Sequence, residues 1–90
     1  MPHPRFTGEE IGMRGEALYQ AGIRARVEIP ENIGKIISID IETGDYEIAD
    51  DAITTGRRLQ AKHPDAAIYG TRIGYNAVFA IGGTLVRTAE

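Results

Sequence analysis

Two carboxylates one residue apart, Asp40 and Glu42, come nearest in this chain to the types and spacing of a reaction centre. Alternate residues of a strand share a face. An acidic pair so placed at a strand end is suited to hold divalent cations that activate water. Asp45, Glu47, Asp50 and Asp51 follow closely and extend the acidic segment. It lacks the loop spacing of a calcium hand. Read plainly, it is a solvated hairpin face that also blunts an edge strand. His3 and His63 are the only histidines, Ser38 sits mid-strand without a nucleophile elbow, and cysteine is absent. Gly70, Gly74, Gly82 and Gly83 precede no helix and so form no phosphate loop. Tyr69, Tyr75 and Phe79 would present aromatics on a sheet, but without interleaved basic residues. The expectation is a chain with no catalytic residue, no metal site and no cofactor.

These residues need elements to position them. Ninety residues make one domain with a modest core. The net charge of −3 argues against a nucleic-acid partner, which calls for a basic face. No apolar run is long enough to span a membrane, and Met1 to Arg5 form no apolar signal core, so the expected location is the cytoplasm. Thr7 and Glu10 form the two ends of a capping box, which predicts a helix from about Gly8 to Val27. Pro30 ends it and separates an N-terminal arm and helix, residues 1–32, from a small core, residues 33–90.

The core opens with a strand from Lys35 to Glu42, a turn at Thr43-Gly44-Asp45, and a return strand carrying Tyr46 and Ile48. Ile37, Ile39 and Ile41 should face a core, while Ile36, Ser38 and Asp40 form a mostly wet face. Asp50 or Asp51 caps a second helix running to about His63, and the residue before Pro64 stops it. Ala67 to Ile73 and Ala77 to Ile81 read as further strands, with Thr84 to Arg87 a possible addition. The fold expected is α+β: an N-terminal helix followed by a β-β-α-β-β unit, with one helix on a face of an antiparallel sheet.

The first helix carries an apolar stripe of Ile11, Gly15, Leu18, Gly22 and Ala25. Gly12, Gly15 and Gly22 each cost roughly 1 kcal/mol against alanine. Two readings follow. Either small residues let the helix lie close to its own sheet, or the helix is ordered by a partner chain. The second makes Ile11, Gly15, Leu18, Gly22 and Ala25 the partner-binding residues, with Leu18 near the centre.

Two resemblances bear on function. Asp40-Ile41-Glu42-Thr43-Gly44 resembles the first motif of the DnaQ-like 3′–5′ exonucleases, whose Asp and Glu hold two metals. It covers about five residues, and the further acidic elements of that fold have no counterpart here; His63-Pro64-Asp65 does not match its last motif. Between Val27 and Thr88, about two thirds of the chain, the sequence is similar to short bacterial proteins of unknown function. These are of the type found as the small antitoxin-like upstream partner in toxin–antitoxin-type gene pairs. Gly44-Asp45-Tyr46-Glu47-Ile48, Arg57-Arg58-Leu59 with His63-Pro64-Asp65, and Arg72-Ile73-Gly74-Tyr75-Asn76-Ala77-Val78 carry that resemblance. The strand-strand-helix order is also similar to antitoxins with a partial RNase H-like fold. The resemblance implies a non-enzymatic interaction module that binds another protein, a gene neighbour or a second copy, through its N-terminal helix and sheet. The alternatives are a self-assembling homo-oligomer and, more distantly, a metal-dependent nuclease.

Overall fold

Thr7 starts the fold as the sequence predicts. In the computed structural model, which describes residues 5–75, its hydroxyl accepts the Glu10 N–H at 3.1 Å, and the Glu10 carboxylate accepts the Thr7 N–H at 3.0 Å. Helix α1 runs Gly8–Leu18, passes through a π-helical turn at Tyr19–Ile23, and ends as α2, Arg24–Val27. A 3₁₀ turn at Pro30–Asn32 leads into the sheet. Strand β1 is Ile36–Asp40, β2 is Tyr46–Ala49 and β3 is Ile68–Arg72, with helix α3, Ala52–Lys62, between β2 and β3. The sheet order is β2-β1-β3 and both pairings are antiparallel. Gly44, at φ +78°, takes the left-handed conformation that the β1–β2 turn requires. Asp51 caps α3 by accepting the Thr54 N–H at 2.7 Å.

This is the expected α+β class, with three strands among the described residues. The fourth strand, Ala77 to Ile81, and the segment Thr84 to Arg87 lie outside the described residues. No helix of the described residues is long and apolar enough to cross a membrane.

The core lies between the N-terminal helix and one face of the sheet. Tyr19, Ile23 and Val27 pack on Ile37, Ile39 and Ile73, with Leu18, Ile33, Tyr46, Ile48 and Tyr69 at the margin. The opposite face is not wet. Ser38 and Asp40 are buried beneath α3, where Thr55 and Leu59 are fully buried and the Ser38 and Thr55 hydroxyls bond at 2.7 Å. Alternation along β1 correctly separates two faces, but periodicity cannot reveal that a helix covers the polar one.

The helix face also differs from the expected stripe. Gly15, Tyr19, Ile23 and Val27 are buried, while Gly22 and Ala25 are exposed. Residues four apart on an α-helix drift by about 40°, so Gly15 and Val27 would diverge by roughly 120°. The π turn takes up one extra residue, about 100° of rotation, and brings the four nearly into line. Beyond the turn the core face therefore passes from the phase of Leu18, Gly22 and Ala25 to that of Tyr19, Ile23 and Val27. At Gly15 the approach is so close that a Cβ would lie 2.1 Å from Tyr69 Cγ.

A line of side chains runs outside this face. The Tyr69 hydroxyl donates to Glu16 Oε2 at 2.7 Å, and Gln20 Nε2 donates to Glu16 Oε1 at 2.9 Å. Arg24 donates to Gln20 Oε1 at 3.1 Å and to Glu28 Oε2 at 2.8 Å, and the Tyr19 hydroxyl donates to the same Glu28 oxygen at 2.9 Å. The ladder spans the π turn and fixes both phenols.

Candidate functional site

The acidic pair of the sequence meets the end of α3 in an open cleft of about 290 Å³. Asp40, Glu42 and Thr43 come from the end of β1 and its turn. Lys62, His63, Pro64, Asp65 and Ala66 come from the end of α3 and the loop after it, and Arg5 approaches from the N-terminal segment. The loop is shaped by the proline after His63 and by the Ala66 N–H, which donates to the His63 carbonyl at 3.0 Å. The Ile41 N–H, donating to the Ala67 carbonyl at 3.1 Å, ties that loop to the strand end.

Asp40 is 2% exposed. Its Oδ1 accepts the Glu42 N–H at 2.9 Å and, at 3.5 Å, lies near the Thr43 N–H. This is the local turn that aspartate favours, a side chain bonding the backbone two residues on. Glu42 is no longer in the strand. It lies in the turn, exposed, where the Arg5 guanidinium forks onto both its oxygens and also donates to the Asp65 carbonyl at 2.8 Å. Asp40 and Glu42 thus border one cleft but have different duties, one organising the turn and one clasping Arg5. Among the described residues, no three His, Cys, Asp or Glu side chains are arranged to hold a metal ion.

The remaining charges of the cleft are engaged along its rim. His63 Nε2 lies 3.1 Å from Asp45 Oδ2, and Lys62 pairs with Glu47 and lies 3.8 Å from Asp45. The His63 hydrogen bond holds the Asp45 carboxyl below its ordinary value, and Glu47 raises the Lys62 ammonium. Away from the cleft, burial first and then Glu28 push the Tyr19 phenol up, and burial with Glu16 does the same for Tyr69.

The five residues expected to bind a partner are divided by the π turn. Gly15 is buried under Tyr69, Ile11 and Leu18 are half-buried, and Gly22 and Ala25 face outward. Ala17 and Ala21 are exposed as well. At Gly22 nothing lies within 4 Å of where a Cβ would stand, and its φ is not positive. The membership of Arg5, Asp65 and Ala66 in the cleft had no sequence signal, since it depends on long-range packing. Asp40 followed by a tight turn was a readable sign of an amide-accepting carboxylate. No family model, no characterised protein and no solved structure matches this chain.

Proposed function

We propose that this chain is a non-enzymatic interaction module that binds a second polypeptide on the outer side of its N-terminal helix. The observation that carries the reading is Gly22. A helical glycine costs roughly 1 kcal/mol against alanine. Neither the backbone conformation nor any neighbour among the described residues requires glycine there. Gly15, in the same helix, has such a reason in Tyr69. The compensation for Gly22 is therefore sought beyond the described residues, in a second polypeptide whose backbone a missing side chain lets approach closely. Exposed Ala17, Ala21 and Ala25 extend the same low-relief surface. The resemblance to small antitoxin-like proteins leads to the same class of partner, a gene-neighbour protein or another copy.

Gly22→Arg and Ala25→Arg test this without disturbing the buried face. Size-exclusion light scattering over micromolar concentrations reads self-association, and co-purification from the native host reads a different partner. The reading requires an assembly that forms with wild type and is lost in both variants, with circular dichroism unchanged. A monomeric wild type that retains no protein released by these variants would eliminate it.

A further inference from the structure

The carboxylate of Asp40 has one oxygen in use and one open. Oδ1 is taken by the turn amides. Oδ2 has no hydrogen-bond or ion-pair partner among the described residues, although the residue is 2% exposed. No fully buried side-chain polar atom of the described residues lacks a partner. Oδ2 must therefore reach solvent, and the cleft that Asp40 lines is its opening. The basic side chains around that cleft are turned to other acids: Arg5 to Glu42, Lys62 to Glu47 and Asp45, and the His63 ring to Asp45. A recessed acceptor is thus left at the bottom of a recess of about 290 Å³, with Pro64 and Ala66 as apolar wall.

We propose that this cleft binds a primary alkylammonium group, with Asp40 Oδ2 accepting its N–H and its methylenes lying on Pro64 and Ala66. One open oxygen suits an ammonium, a compact point charge with freely turning donors. A guanidinium prefers both oxygens of a carboxylate, and here the second is occupied. The same chemistry comes from a lysine side chain or from a free aliphatic amine. The site uses none of the helix residues assigned to the polypeptide partner and stands independently of that assignment.

The test is a titration of the ¹⁵N-labelled full chain with butylammonium, followed by amide chemical shifts. The Glu42 and Thr43 amides beside Asp40 Oδ1 are built-in reporters. Saturable shifts centred on Glu42, Thr43 and Ala66 are expected, with no competition from tetramethylammonium, which has charge but no donor, or from butanol, which has the chain but no charge. Asp40→Asn keeps an oxygen for the turn amides and replaces the open acceptor with a donor. It should weaken binding by roughly tenfold to a hundredfold, the scale of one charge-assisted hydrogen bond. Capped lysine against 1,4-diaminobutane assigns the source: tighter lysine indicates a polypeptide, tighter diamine a free amine. Lys62→Met should leave affinity unchanged or raise it, since it removes a positive charge from the cleft wall without touching Asp40. Non-saturable shifts spread over all the carboxylates, or equal competition by tetramethylammonium, would overturn the proposal even if Asp40→Asn failed to fold.

Discussion

Replacing Gly15 and Gly22 by alanine, one at a time, should move stability in opposite directions. In an exposed helix interior the exchange gains roughly 1 kcal/mol by restricting the unfolded chain and favouring helix. Gly22 should show that gain, because its Cβ would meet nothing within 4 Å. At Gly15 the new Cβ would lie 2.1 Å from Tyr69 Cγ, 2.3 Å from Cβ and 2.6 Å from Cδ2. These are the root of the side chain, which cannot swing aside as a flexible tip would. Either the helix lifts from β3 or Tyr69 leaves its rotamer and surrenders its bond to Glu16. Overpacking costs about 1–3 kcal/mol, and a hydrogen bond to a charged group is worth about 1.5–3 kcal/mol. Against the propensity gain, a net loss of up to about 2 kcal/mol remains by either route. In a domain of this size that lowers the melting temperature by about 10 °C. Thermal and urea unfolding of both variants gives the comparison, with the Gly15→Ala/Tyr69→Ala pair closing a double-mutant cycle. The coupling should be strongly favourable, since removing the ring relieves the clash. If Gly15→Ala stabilises as much as Gly22→Ala, the helix does not rest on Tyr69 and the account of its buried face is wrong.

Other expectations follow from single contacts. Thr7→Ala removes half of the capping box and should cost about 1 kcal/mol in urea unfolding. Thr55→Val strands the buried Ser38 hydroxyl and should cost about 1–3 kcal/mol, while Ser38→Ala/Thr55→Val together should be milder than the sum of the singles. Below about pH 4 stability should decline: Glu10, Asp45 and Asp51 all have folded-state values lowered, so their contribution is present above the unfolded range and lost as acid protonates them. At the alkaline end the sign reverses. Tyr19 and Tyr69 are raised from 10.0, so the unfolded chain ionises first and stability falls as pH rises past that value. The Tyr19 and Tyr69 share of the tyrosinate absorbance should therefore appear together with loss of ellipticity, and Tyr69→Phe should reduce the alkaline loss.

Signals confined to a few neighbouring residues were readable from the sequence. Thr7 with Glu10 marks the first helix, Asp51 the cap of α3, and Gly44 between two alternating runs the hairpin. Each works through bonds made within a few positions, so its warrant lies in the local sequence. The face of the first helix was not readable, because the residues at 3.6 spacing form a respectable stripe and nothing short of packing reveals the π turn that displaces it. The burial of Ser38 and Asp40 was hidden for a similar reason: small polar residues on a strand look solvent-facing until a helix carrying a matching Thr55 is laid over them. The candidate cleft was half visible. Its acidic members stand together in the chain, whereas Arg5 and Ala66 join them only through the fold.

The π turn makes the N-terminal helix a segment with one residue to spare. Deleting Gln20 or Ala21 would let the chain continue as ordinary α-helix, with Gly15 and Val27 eleven positions apart and about 20° from alignment, as the π turn already holds them. Ile23 and Val27 would stay on the sheet, and Gly22 and Ala25 would stay on the outer side. Straightening the turn with every residue retained would instead rotate all that follows by about 100° and take Ile23 and Val27 off the sheet. A lineage that dropped the spare residue would keep both its inner and its outer surface. A one-residue deletion at Tyr19–Ile23 is therefore a change the two faces of this helix are built to absorb.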